Sequence, residues 1–223
     1  MSIVHELPPI HIPAAAASFA GFRSWANSPD YPVRGRISYI QGEIEVDMNA
    51  DELHDHNPIK AAILVDLMNL IRLEKLGKVL ADGVRLVNEQ GEVISEPDLV
   101  FARHETIRAG KVRYVESADE SGSVVEMEGT PDLVLEVVSK HSVRKDTVLL
   151  PRSYYEGGIP EYWLVTPQDQ SVDFRLLVRG EDEYVPTSAD ADGYRFSPSF
   201  QRSFFLLRTP DEYGRWDYQL LWR

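Results

Sequence analysis

The chain has 223 residues, 43% of them hydrophobic, and 36 Asp and Glu against 23 Lys and Arg, for a formal net charge of −13. That is ample apolar material for one large α/β domain. The lack of cysteine excludes disulfides, thiolate metal sites and a cysteine nucleophile, no apolar run reaches membrane-spanning length, and the acidic balance argues against a nonspecific nucleic-acid binder, which would usually be basic.

Met1 to Pro13 has neither the basic start nor the apolar core of an export signal, so a cytoplasmic protein is expected. Residues 1–30 read as an irregular N-terminal arm with a short helical piece near Ala15 to Trp25. Ile37 and Tyr39, then Ile44, Val46 and Met48, flank Gln41-Gly42 and predict a hairpin turning there. Asn57-Pro58 is a helix start, and Ile59, Ile63, Leu67, Leu70 and Ile71 recur at helical spacing, predicting a helix from Pro58 to Leu76. Val84 to Val87 and Val93 to Ala102 read as strands around an Asn88 to Gly91 turn, and Val112 to Glu116 and Val124 to Met127 as shorter ones. Asp132 to Val138 is nearly continuous in apolar residues, as a central strand covered on both faces would be. A helix is expected from about Val143 to Tyr155, kinked or restarted at Pro151. Tyr162 to Val165 is another buried strand, and β segments with turns at Gly180, Gly193 and Gly214 fill the rest. This order predicts a mixed α/β fold in a single domain over residues 1–223, a mixed sheet flanked by helices, with a β-rich tail from about residue 180.

Chemistry concentrates on two acids. Asp98 follows Pro97 within one strand segment, and Glu136 stands mid-strand in Leu133-Val134-Leu135-Glu136-Val137-Val138. A carboxylate inside a sheet is costly unless something neutralises it, and two on neighbouring strands could share an ion. Hard oxygen ligands select Mg²⁺ or Mn²⁺, and two carboxylates beside a lysine form a constellation that can cleave phosphodiesters. For Asp98 alone, a cap after Pro97 is the simpler reading; a strand-centre glutamate needs a partner. Asp132 shares the parity of Glu136 but lies roughly 13 Å along the strand, too far for one ion, and is expected to open the strand and accept a backbone hydrogen bond. The position two after Glu136 is Val138, so a cation to orient water must come from elsewhere. Lys140 has the right parity one repeat further on, and Lys145 and Arg152 lie on the next helix. Glu43, Glu45 and Asp47 share one face of the hairpin; any of them could complete the metal site, against the plainer reading of an acidic solvent face. His54 and His56 flank Asp55 in a polar loop, where histidines are usually solvated. Tyr154-Tyr155 and Tyr162-Trp163 read as packing.

Pro131 to Ser139, Arg144-Lys145-Asp146, Tyr154 and Gly158-Ile159-Pro160-Glu161-Tyr162-Trp163-Leu164-Val165, with looser matches at Tyr39 to Gly42, His56-Asn57 and Pro97 to Phe101, resemble the Uma-type putative restriction endonuclease family. That family is plentiful in bacteria and belongs to the PD-(D/E)-x-K nuclease superfamily. The resemblance covers roughly residues 20–180. It implies a restriction-endonuclease-like fold, with Asp98 and Glu136 as the acidic residues of the two motif elements, both binding Mg²⁺. It places the lysine on the following helix, where the usual position, four before Tyr154, is Leu150 here; Lys140 or Lys145 must substitute. The family's acidic residues near Ser38 and Gln41 are also missing, leaving Glu43 or Glu45 as replacements.

The favoured expectation is an Mg²⁺-dependent (or Mn²⁺-dependent) endonuclease acting on DNA: Asp98, Glu136 and Glu45 hold the metal, and Lys145 or Lys140 orients the attacking water. Two competing expectations are a nuclease fold kept as a non-catalytic binding or regulatory module, motivated by Leu150 and the net charge, and a metal-dependent hydrolase of a small phosphorylated substrate. Cutting both strands of a duplex commonly takes two active sites, which makes a homodimer a candidate assembly.

Overall fold

The computed structural model describes residues 10–32, 34–49, 56–81, 83–116 and 124–223. The fold is mixed α/β. Its centre is a six-stranded mixed sheet in the order β12-β11-β10-β9-β6-β3: β3 (Gly77–Ala81), β6 (Leu99–Arg103), β9 (Leu133–Val137), β10 (Glu161–Pro167), β11 (Val172–Arg179) and β12 (Tyr184–Pro186). All five residues of β9 are buried, as expected of a central strand. It runs parallel to β10 and antiparallel to β6.

A second six-stranded sheet, ordered β2-β1-β5-β4-β8-β7, is built from β1 (Arg36–Ile40), β2 (Glu43–Asp47), β4 (Arg85–Asn88), β5 (Val93–Ser95), β7 (Val112–Glu116) and β8 (Val124–Gly129). The β1–β2 hairpin turns at Gln41-Gly42, both at positive φ (49° and 88°), the backbone a tight two-residue turn demands. The sequence predicts one strand from Val93 to Ala102; it is two, in different sheets. Pro97 has no N–H for a ladder, so pairing breaks at Glu96-Pro97 and the chain crosses from β5 to β6 with Asp98 at the crossing. The single mixed sheet expected from sequence is therefore divided.

Helices fill both faces of the central sheet. α1 (Phe19–Ala26) follows a short 3₁₀ turn, Ala14–Ala17, and packs Phe22 and Trp25 against Ile37, Tyr39 and Ile94 of the second sheet. α2 (His56–Glu74) begins two residues before the expected Pro58, which its first turn tolerates because no N–H is needed there. It ends at Glu74, where Lys75 takes φ 55°. β3 and the short α3 (His104–Arg108) are absent from the sequence reading. After β9 comes a widened, π-helical turn, Lys145–Leu149, then α4 (Leu150–Glu156) with Pro151 in its first turn. Leu149 and Leu150 both keep right-handed helical backbone, so the chain stays helical through the widened turn and no new helix begins at Pro151.

One core packs Ile59, Ile63, Leu67 and Leu70 of α2 against Leu133, Leu135, Phe101 and Trp163. The other packs Leu150 and Tyr154 of α4 against Val134, Val100 and Leu164. β13 (Arg195–Ser197), β14 (Arg202–Pro210) and β15 (Trp216–Trp222) form a third, antiparallel sheet, whose Phe204, Leu206 and Leu220 join the α2 core. Among the described residues no helix is long and apolar enough to cross a membrane.

Glu161 anchors that third sheet. Its buried carboxylate accepts from Ser199 N (2.6 Å), Ser197 Oγ (2.8 Å) and Trp163 Nε1 (2.9 Å). Burial pushes its carboxyl up from the ordinary value, and these hydrogen bonds oppose the push. Glu161→Ala leaves those donors without their buried acceptor and is expected to cost about 3 kcal/mol of unfolding free energy, read by urea denaturation. A loss below about 1 kcal/mol would contradict this role.

Candidate active site

The register of the central sheet creates the site. β6 and β9 pair antiparallel with Leu99 opposite Leu135, so the next pair outward sets Asp98 opposite Glu136, and directly opposed residues share a face. Asp98 is 4% exposed and Glu136 2%. Asp98 is held from several sides: Oδ2 accepts from Val137 N at 2.8 Å, Oδ1 lies 3.1 Å from Lys60 Nζ and 3.6 Å from an Arg36 guanidinium nitrogen. His56 stands 3.7 Å from Oδ2, its Nε2 in a 2.7 Å hydrogen bond with the Val137 carbonyl. His56 and Lys60 are one helical turn apart, so both reach the same place from the start of α2.

Glu136 is bound very differently. Its Oε1 accepts from the Tyr154 hydroxyl at 3.2 Å, and that hydroxyl also meets Ser95 Oγ at 2.9 Å. Burial pushes the Glu136 carboxyl well up; Lys145 pulls it down, and the Asp146 and Asp98 charges push it further up. The contrast with Glu161 is informative. Both glutamates are buried on adjacent strands, but Glu161 is saturated with donors while Glu136 faces two other carboxylates. Lys145 Nζ lies 3.2 Å from Asp146 Oδ1. Burial alone would lower the Lys145 ammonium, but Glu136 and Asp146 outweigh it and hold the pKa above its ordinary value. Lys145 therefore stays cationic.

Asp98, Glu136, His56, Arg36, Lys145 and Asp146 line a cleft of about 670 Å³ bounded by Asp47 of β2, the Ser139 to Val143 loop and the Thr166 to Asp169 turn. Of the residues singled out from sequence, Asp98, Glu136 and Lys145 come together here. Lys140 lies at the rim, exposed. Glu45 is engaged by Arg144 at 2.7 Å, and Glu43 by the same guanidinium at 2.8 Å. Arg152 pairs with Glu156 on the α4 surface, and Leu150 is a fully buried core residue. Asp132 caps as expected, accepting from Arg103 N at 2.7 Å and Thr106 Oγ1 at 2.9 Å. His54 lies outside the described residues. His56, expected to be solvated, is buried. Sequence reasoning missed Lys60, Asp146 and Tyr154 as site residues; the available signal for Lys60 was a cation between Ile59 and Ile63 on the inward side of α2.

Among the described residues no group of three or more His, Asp or Glu side chains is arranged to hold a metal ion. Mg²⁺ does not require one, since it is commonly held by one or two carboxylates together with water and substrate phosphates. Asp98 and Glu136 offer two such carboxylates, and a bound cation would oppose the upward push that burial, and then the Asp146 and Asp98 charges, exert on Glu136.

A carboxyl whose pKa rises on folding holds its proton more tightly in the folded chain. Its drag on stability is absent below the unfolded carboxyl's range and grows as pH rises through the folded pKa. Glu136→Gln is therefore expected to raise the metal-free thermal midpoint near pH 8 by at least about 2 °C, the yield of about 1 kcal/mol in a domain this size. The gain should vanish near pH 4, around the ordinary carboxylate range. Calorimetric melting across pH checks this; a lower midpoint at pH 8 would contradict the reading of Glu136 as a strained charge.

The family described as "Uma2: Putative restriction endonuclease" matches residues 25–207, a span that includes both carboxylate strands. No curated protein matches the sequence. Among solved structures, the crystal structure of a putative nuclease belonging to DUF820 from Anabaena variabilis is similar, with a TM-score of 0.53 and 16% identity over 74% of this chain and 83% of that one; this likeness shows a nuclease-like fold. With most of its length matched, the chain belongs to the Uma2 family of putative restriction endonucleases.

Proposed function

We propose that the chain is a divalent-metal-dependent endonuclease that hydrolyses DNA phosphodiester bonds. The observation that carries this reading is the facing pair Asp98 and Glu136, buried in one cleft with the Lys145 ammonium. Family membership supports a phosphodiester substrate. In this reading Asp98 and Glu136 hold Mg²⁺ or Mn²⁺; Glu45, already engaged by Arg144, is not needed. The ion, when bound, supplies a Lewis acid for the phosphate and lowers the pKa of water.

The chain's own residues do the rest. Val137 N–H and Lys60 fix the Asp98 carboxylate in one orientation, so little reorganisation remains when substrate arrives. Tyr154 does the same for Glu136. Lys145 remains charged and is placed to orient the attacking water or to stabilise charge building on the phosphate. Arg36 and Lys140 line the same cleft, giving an acidic chain local cations for a polyanion.

Plasmid nicking with Mg²⁺ or Mn²⁺ tests the proposal. Asp98→Asn and Glu136→Gln are expected to lose activity by about 10³-fold or more, and Lys145→Ala by about 10²–10³-fold. Lys140→Ala should cost less than about tenfold, as a rim contact. Cleavage that survives Glu136→Gln would overturn the assignment. The Lys60–Asp98 ion pair, together with Leu150, favours a second reading, a non-catalytic nucleic-acid-binding module; a folded wild type that binds DNA but cuts none with either ion would establish it.

A further inference from the structure

One wall of the cleft has no task in the reading above. β9, which carries Glu136, and β10 run parallel, and α/β sheets take up ligands outside the carboxyl ends of such strands. Two segments leave those ends at the cleft. One is the Ser139 to Val143 loop after β9; the other is the turn between β10 and β11, which lines the cleft with Gln168 and Asp169. Both of those residues are exposed, yet the turn is fastened from beneath. Arg208 of β14 donates from Nη1 to the carbonyls of Gln168 (2.7 Å) and Ser171 (2.6 Å), and from Nη2 to that of Asp169 (3.4 Å). Its guanidinium lies 4.0 Å from the ring centre of Trp216 and 5.8 Å from that of Tyr218, both on β15. A planar fork under aromatic cover is a rigid brace, where a lysine would be a mobile point charge. Arg208, Trp216 and Tyr218 all lie past residue 207, where the family match ends.

The side chain that this turn presents is itself oriented. Ser171 Oγ donates to Gln168 Oε1 at 2.7 Å, and Gln168 N donates to Ser171 O at 3.0 Å. With Oε1 engaged, Nε2 is the end of the amide that can donate outward. Resting on the nuclease reading, we propose that Gln168 contacts the DNA backbone beside the scissile phosphate, its Nε2 donating to a phosphate oxygen, and that Arg208 is the positioning residue that holds it there. The neighbouring Asp169 carries a charge that opposes a polyanion, so the contact is a neutral hydrogen bond set by geometry. Phosphate contacts of this kind fix where a duplex sits without reading its sequence.

The test compares full-length wild type, Gln168→Ala, Arg208→Lys and the double variant. Equilibrium binding of a labelled DNA duplex is measured by fluorescence anisotropy with Ca²⁺ in place of Mg²⁺, and KM and kcat by plasmid nicking with Mg²⁺. Each single variant is expected to weaken binding and raise KM by about tenfold, the loss of one hydrogen bond to a charged group, with kcat within about twofold. The double variant should bind no worse than Gln168→Ala, because a brace acting through Gln168 has nothing further to lose. The salt dependence of binding should keep its slope in Gln168→Ala, since a neutral donor releases no counterion, whereas Lys140→Ala should reduce it by about one. Should Arg208→Lys fail to fold, Trp216→Leu, which removes the aromatic cover, is read in the same way. Wild-type affinity and KM in Gln168→Ala would overturn the proposal while leaving the nuclease reading standing. Additive losses in the double variant would overturn the positioning role of Arg208. A wild type that binds the duplex and cuts none, with binding lost in Gln168→Ala, would overturn the nuclease reading and keep the Gln168 contact; a wild type that binds no DNA would overturn both.

Discussion

The structure turns on one electrostatic constraint: a glutamate at the centre of a fully buried strand, opposite an aspartate on the neighbouring strand. Burying an ionised carboxylate is expensive unless it is paired, and here two face each other with a third, Asp146, close enough to raise Glu136 further. The protein answers with position. Lys60 and Val137 N–H serve Asp98, Tyr154 serves Glu136, and Lys145 serves Glu136 and Asp146. What remains is a pocket in which Glu136, deeply buried beside two other carboxylates, has Tyr154 as its hydrogen-bond donor and Lys145 as its countercharge, a place where a bound cation would be favourable.

The surrounding fold makes that pocket possible. The break at Glu96-Pro97 sends the chain from one sheet to the other and delivers Asp98 to the start of β6. The π-helical turn after β9 brings Lys145 and Asp146 to the same cleft. The close approach of the β4–β5 turn to the end of α4 fixes the helix that carries Tyr154: a Cβ at Gly91 would meet Ser153 O at 2.2 Å, and Asn88 Nδ2 donates to Gly157 O at 2.9 Å. On the far side, Glu161 shows what a structural buried carboxylate looks like, every donor in place.

Much of this was legible in the sequence, and the failures have physical causes. The hairpin at Gln41-Gly42, the α2 stripe and the buried β9 are local signals, set by turn backbone and hydrophobic period. Glu136 was legible because a charge interrupts an otherwise apolar run. Lys145 could be shortlisted but not separated from Lys140, because the π-helical turn that half-buries Lys145 in the cleft has no sequence period, and Lys140 stays exposed at the rim. Tyr154 looked like helix packing and Lys60 drew no notice, since their partners lie 18 and 38 residues away in sequence. Glu45 was a reasonable ligand by parity, but Arg144, from a distant segment, engages it. The division of the sheet at Pro97 was signalled by the proline itself, yet read as a cap.

The most direct test is a crystal of the protein soaked in Mn²⁺ and examined by anomalous scattering. The account expects a single strong peak between the carboxylates of Asp98 and Glu136, lost in crystals of Glu136→Gln. A peak elsewhere, or none in the cleft with Lys60 still at Asp98, would contradict the claim that this buried acidic pair is a cation site.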